Sequence, residues 1–134
     1  MVKKIHQYEI CLINLDPSVG SEMKKTRPCI ILSPDEMNDN LKHVIIAPMT
    51  KTIRKYPTRV NIKFKSQDGE IALEHIKSLD KLRIVKKIGE LEKKTIKEIK
   101  KKLQEIFIDW NVFLCKDKIL DKDKSIVYNN FCYG

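Results

Sequence analysis

Much is missing from this chain of 134 residues. No apolar run comes near the ~20 residues that a bilayer-spanning helix needs. The amino-terminal stretch MVKKIHQYEI is charged and has no long apolar segment, so it does not read as a secretory leader. A cytoplasmic protein without a membrane partner is expected. The four cysteines, Cys11, Cys29, Cys115 and Cys132, include no C-x-x-C pair, and no two histidines stand at metal-ligand spacing. The common zinc frameworks are therefore not expected, nor is a disulfide framework, and Cys11 and Cys29 read as small core residues inside apolar runs. No metal or organic cofactor is expected, and no segment repeats.

What is present is the apolar content of one domain and an excess of positive charge. At 42% apolar residues the chain can bury one ordinary core. The formal net charge is +9. The first 65 residues carry twelve Lys and Arg against six Asp and Glu, and the remainder fifteen against twelve. A basic domain favours nucleic acid, an anionic surface or an acidic protein as partner. A lysine-rich composition accompanied by abundant Ile and Asn is the plainer reading of the same charge.

The apolar pattern is mostly that of strands. Tyr8–Leu15, Pro28–Ser33 and His43–Met49 read as buried strands, with PDEMNDNLK between the last two as loop or turn. From Thr58 to Lys65 the pattern alternates: Thr58, Val60, Ile62 and Phe64 face one way, and Arg59, Asn61, Lys63 and Lys65 the other. Gln67-Asp68-Gly69 reads as a hairpin turn, Glu70–Ser78 as a further strand, and Leu82–Val85 as a short one. Leu91, Ile96, Ile99, Leu103, Ile106, Phe107 and Trp110 recur at helical spacing and predict one amphipathic helix over roughly Glu90–Trp110. Its lysine-rich opposite face reads as a solvated surface. Short strands followed by a terminal helix predict a mainly β domain over residues 1–110, a small barrel or curled sheet plugged by that helix. Residues 111–134 form an extension with no clear class.

One stretch concentrates the chemistry. LDPSVGSEMKKTRPCIILSP (Leu15–Pro34) sets a polar loop between two apolar runs and offers Glu22, Lys24, Lys25 and Arg27 within a dozen residues. Such a loop can aim fixed charge at a phosphate.

Five ordered blocks carry a resemblance: LDPSVGSE (Leu15–Glu22), TRPCIILSP (Thr26–Pro34), IIAPMT (Ile45–Thr50), YPTRV (Tyr56–Val60) and LEHIKSLDKLRI (Leu73–Ile84). In order and spacing the chain resembles the MazF/PemK toxins of toxin–antitoxin pairs over residues 5–110. The resemblance implies an SH3-like, CcdB/PemK-like barrel with a C-terminal helix, usually a homodimer. It implies a metal-independent endoribonuclease that cuts single-stranded RNA, in particular mRNA, at short sequence motifs. It also implies an acidic cognate antitoxin, with operator DNA bound only in its company. The family's usual catalytic pair, an arginine before proline and a threonine ending the A-P-x-T block, falls on Arg27 and Thr50. Two positions depart from the pattern: Tyr8-Glu9 stands where the family often has Gly-Asp, and His75 where it often has Gln.

Cutting RNA without a metal uses the neighbouring 2′-hydroxyl as nucleophile. It needs proton transfer and preorganised positive charge. Arg27 suits charge stabilisation, because its guanidinium stays ionised and grips two phosphate oxygens; a structural ion pair is the alternative. Thr50 offers a hydroxyl to a phosphoryl oxygen or to the local backbone. Glu22 can take a proton, orient Arg27 or sit solvated in its turn. His75 can act as acid or base or be an ordinary strand histidine. His43 and His6 read as structural or exposed. Ser21, Lys24, Lys25, Lys51, Arg54 and Arg59 are candidate phosphate contacts. Tyr56 is a candidate stacker on a base or a packing residue. A CcdB-like toxin that binds gyrase, or a nucleic-acid-binding SH3-like module without catalysis, remain the alternatives.

Overall fold

A computed structural model describes residues 4–17, 19–23 and 25–108. The strands β1 (Glu9–Asn14), β2 (Thr26–Ile31), β3 (His43–Thr50), β4 (Arg59–Phe64), β5 (Gln67–Ala72), β6 (Lys77–Asp80) and β7 (Ile84–Glu90) form one seven-stranded antiparallel sheet. The helices are α1 (Asp35–Asn40) and α2 (Lys93–Phe107). The main path of the sheet runs β4-β5-β3-β2-β1-β7, and β6 joins the first half of β3. This is the mainly β, curled sheet with a C-terminal helix that the patterning predicts, in keeping with the SH3-like class that the resemblance implies.

Central strands read as unbroken apolar runs because they are buried on both faces. Along β1, β2 and β3 the side chains alternate between two clusters. One holds Cys11, Ile13, Cys29, Ile31, Val44 and Ile46. The other holds Ile10, Ile30, Ala47, Met49, Val60 and Ile71, and is closed by Ile99 of α2. Cys11 and Cys29 face each other across β1 and β2 as free, fully buried thiols. Burial pushes Cys11 up to about 11, with Glu9 adding to it, and Cys29 up to about 12. Both are therefore inert neutral core residues at physiological pH.

Several elements depart from the linear reading, each for a local reason. PDEMNDNLK is not all loop: Asp35–Asn40 winds into α1, with acidic Asp35 and Glu36 in its first turn. The β4–β5 hairpin turns at Lys65-Ser66, both at positive φ (51° and 63°), and Phe64 pairs with Gln67. That is the geometry of a two-residue primed turn, so Gln67-Asp68-Gly69 begins a strand rather than ending one. The strand expected over Glu70–Ser78 is two strands. Met49 pairs with Ile71, and an unbroken register would set Ile46 against residue 74, but Ile46 pairs with Lys77. The three residues Leu73–His75 are looped out as a 3₁₀ turn. The short strand expected at Leu82–Val85 becomes a 3₁₀ turn, Lys81–Arg83, followed by the longer β7. The helix ends at Phe107; Trp110 and residues 111–134 lie outside the described residues. Tyr8, standing where the family often has glycine, takes φ 69° on entry to β1.

β5 passes so close to the end of β3 that a β-carbon on Gly69 would lie 2.6 Å from the carbonyl oxygen of Thr50. Neither backbone can yield without disturbing the pairing of Thr50 with Glu70. Gly69→Ala is therefore expected to cost about 1–3 kcal/mol, the usual range for overpacking, measured by urea unfolding.

Candidate active site and RNA-facing edge

The start of β2 and the end of β3 lie side by side. Cys29 pairs with Pro48 and Ile31 with Ile46. Carrying that register two residues further sets Arg27 opposite Thr50, with both side chains on one face. The Arg27 guanidinium confirms the approach, donating from Nη1 to the Met49 carbonyl at 3.3 Å and lying 3.6 Å from the Met23 sulfur. The Thr50 hydroxyl oxygen accepts from the Thr52 backbone N–H at 3.2 Å. That bond leaves the hydroxyl proton available to a second acceptor.

Glu22 and His75 come together in space, although 53 positions separate them in the sequence. They line one cleft of about 220 Å³ together with Met23, Pro48, Glu74 and Lys77. Glu22 reaches it from a tight turn, in which its carboxylate accepts from the Val19 N–H at 2.7 Å. His75 reaches it because the 3₁₀ turn lifts residues 73–75 out of the sheet; it is not on a strand, as its alternation with Glu74 and Ile76 implied. Lys77, absent from the sequence-based candidates, stands opposite Ile46, and its charge helps to lower the Cys29 thiol against the larger effect of burial. No spacing rule points to it.

The remaining candidates divide. Ser21 is exposed in the Glu22 turn, and Lys25, exposed at φ 67°, donates its backbone N–H to Asp16 at 2.9 Å. Lys24 lies outside the described residues. Lys51, Arg54 and Tyr56 project from the exposed loop that joins β3 to β4. Arg59 does not behave as the alternation of its strand predicts. Its side chain is only 5% exposed, bonded to Glu70 at 3.0 Å and to Glu74 at 2.7 Å. Its guanidinium also lies 5.0 Å from the Tyr56 ring centroid. It braces the loop and is not placed to contact phosphate.

Glu70 is the residue that the sequence reading missed. Fully buried, its carboxylate accepts from the backbone N–H groups of Arg54 and Lys55, both at 3.0 Å, and from Arg59. Burial alone would raise its pKa; the two backbone bonds and Arg59 outweigh burial and hold it below the usual carboxylate range. Glu74 is lowered in the same way, with the Thr58 hydroxyl and Arg59 prevailing over burial. The only signal in the sequence is one carboxylate at the head of the apolar run EIAL.

Among the described residues, no helix is long and apolar enough to cross a membrane. Residues 6–107 match the family model described as PemK-like, MazF-like toxin of type II toxin–antitoxin system. A curated relative, Endoribonuclease MazF of Staphylococcus saprophyticus, is 38% identical over 97 residues, covering 68% of this chain and 81% of the relative. MazF (Form-I) of Deinococcus radiodurans has a similar fold: TM-score 0.70 at 24% identity, over 78% of this chain and 96% of that one. A mycobacterial endoribonuclease solved in complex with its cognate antitoxin gives 0.64 at 21% identity, over 75% and 91%. At these identities the two solved structures speak to fold alone.

Glu70→Ala would orphan two backbone donors and leave Arg59 buried beside Glu74 alone. It is expected to cost roughly 3 kcal/mol, read by urea unfolding. Because the folded pKa of Glu70 is depressed, its stabilisation is complete above the unfolded carboxylate value of about 4.3. That stabilisation is lost as pH falls through the lower folded value. The wild type should therefore lose melting temperature below about pH 4.3 more steeply than Glu70→Gln, as followed by thermal melts across an acid series.

Proposed function

The chain belongs to the PemK-like, MazF-like toxins of type II toxin–antitoxin systems, and we propose that it cuts single-stranded RNA with Arg27 and Thr50 as its phosphate-gripping pair. The observation that carries this reading is the β2–β3 register, which, continued two residues beyond the Cys29–Pro48 pair, brings Arg27 across from Thr50, with the Arg27 guanidinium bonded to the neighbouring Met49 carbonyl. Family membership favours the endoribonuclease over a gyrase-binding toxin or a binding module without catalysis.

In the reaction the 2′-oxygen attacks the adjacent phosphorus, and the bond to the 5′-oxygen breaks. Arg27 meets the negative charge that builds on the non-bridging oxygens, where fixed charge in a partly dry site is most effective. Thr50 donates its hydroxyl proton to one of those oxygens while the Thr52 N–H holds its own oxygen in place. Glu22 and His75, sharing one cleft, take the 2′-proton and return one to the leaving 5′-oxygen. Neither step calls for a metal. Ser21, Lys25, Lys51 and Arg54 supply positioning charge and hydrogen bonds along the backbone of the strand, and Lys24 belongs with them by sequence.

A basic toxin face calls for an acidic partner, and we infer an acidic antitoxin, a homodimeric toxin, and operator DNA bound only by the toxin–antitoxin complex. The solved mycobacterial endoribonuclease with its cognate antitoxin is a precedent within this fold. An mRNA substrate places the work in the cytoplasm. The toxin domain is assigned to residues 1–110, with 111–134 as an extension.

Incubated with a long single-stranded RNA in EDTA, the wild type is expected to give discrete cuts ending in a 2′,3′-cyclic phosphate. Arg27→Ala should lose at least about 100-fold in rate at unchanged melting temperature. An inert wild type, or an Arg27→Ala variant that cuts normally, would overturn the assignment. His75→Gln is expected to flatten one limb of the pH–rate profile, since glutamine carries no titrating proton.

A further inference from the structure

Two cavities open near the end of β3. One, lined by Pro48 and by Met23 beside Arg27, is the cleft that Glu22 and His75 share. The other, where Pro28 and Met49 turn their side chains, is a pocket of about 380 Å³. Its lining is largely apolar: Pro28, Met49, Ile62 and the ring of Phe64, with Thr50 at its mouth. Lys51 and Lys65 flank it, and the Lys65 ammonium lies 5.3 Å from the Phe64 ring centroid. Gln67 and Asp68, both exposed, supply polar groups at the rim, and the Gln67 side-chain amide points back to the Asp68 carbonyl at 3.2 Å.

We propose that this pocket is a nucleobase subsite, taking the base next to the scissile phosphate on the side away from the Glu22–His75 cleft. This inference rests on the phosphate being held at Arg27 and Thr50. The chemistry of the pocket fits one occupant. A base is a flat apolar disc with a polar edge, and it is tethered to an anionic backbone. The Phe64 ring and Ile62 offer the flat surface, the rim lysines meet the phosphates on either side, and Gln67 and Asp68 meet the polar edge. A volume near 380 Å³ lies at the small end of ligand sites, which run to roughly 1,000 Å³. An apolar peptide side chain would find the aromatic surface but leave the polar groups of the rim, Gln67 and Asp68, unused.

Phe64 is held rigidly for this task. A β-carbon on Gly89 would come within 2.8 Å of the Phe64 ring edge, so the ring packs directly on the β7 backbone. Gly69, which lines the pocket, touches the Thr50 carbonyl at a distance that only glycine permits. The subsite and the end of β3 are therefore mechanically one unit. The carboxylate of Asp68 accepts hydrogen bonds and repels phosphate. It thus selects a base edge with donors, the exocyclic amino groups of adenine, cytosine or guanine, over the acceptor-rich edge of uracil.

The test is sequencing of cleavage ends from one mixed RNA pool, with kinetics on a short cognate oligonucleotide, for the wild type, Phe64→Leu, Gln67→Ala and Asp68→Asn. Phe64→Leu should raise KM roughly tenfold or more through lost stacking with little change in kcat. Gln67→Ala and Asp68→Asn lie on the exposed rim and should fold as the wild type does. They should relax base preference at one position flanking the cut and leave the other positions unchanged. If the wild type cuts but both rim variants keep its preferences and all rates stay within twofold, the subsite assignment is wrong and the nuclease reading stands. If the wild type does not cut, both fall together.

Discussion

A buried carboxylate organises the functional edge of this protein. Glu70 lies on β5, beyond reach of water, and its charge is tolerable only because three donors converge on it. Two of them are backbone N–H groups of the loop between β3 and β4, so the loop cannot leave without stranding the charge. The third is Arg59, which also ties Glu74 and lies against the Tyr56 ring. Glu70 further pairs with Thr50 across the sheet. One ion therefore fixes the loop carrying Lys51, Arg54 and Tyr56, the end of β3 carrying Thr50, and the turn carrying His75.

That arrangement separates two arginines that look alike in the sequence. Arg59 lies in an alternating strand and seems to belong on the wet face, yet it is committed to two carboxylates inside the structure. Arg27 is the second residue of β2, where its guanidinium donates to the Met49 carbonyl and lies beside the Met23 sulfur. The two cavities reflect the opposite faces of β3: Pro48 faces the Glu22–His75 cleft and Met49 faces the Phe64 pocket.

Most of the regular structure was legible because it rests on local periodicity. The buried runs of β1, β2 and β3, the alternation of β4 and the amphipathic face of α2 all declare themselves in the spacing of apolar residues. The misreadings cluster where chain geometry, not side-chain type, makes the decision. Lys65-Ser66 turns the hairpin although neither is a glycine or asparagine, and Gln67-Asp68-Gly69, with its better turn chemistry, is strand. Leu73–His75 reads as strand by alternation but is looped out, because β5 and β6 pair with different halves of β3 in registers three residues apart. Arg27 and Thr50 were reachable through the resemblance, whereas Glu70, Lys77 and the Phe64 pocket were not, since each acquires its role only from neighbours distant in the chain.

The sequence by itself determined the class of the fold, the family and the excess of positive charge. These depend on residue type, short-range spacing and ordered motifs, all of which are linear properties. Tertiary structure alone decided that Arg59 is a brace, that Glu22 and His75 share a cleft, and that Glu70 anchors the loop above them. The physical reason is common to all three. The state of a charged side chain depends on which partners and how much water surround it, and in this fold those partners arrive from strands whose register no local pattern encodes.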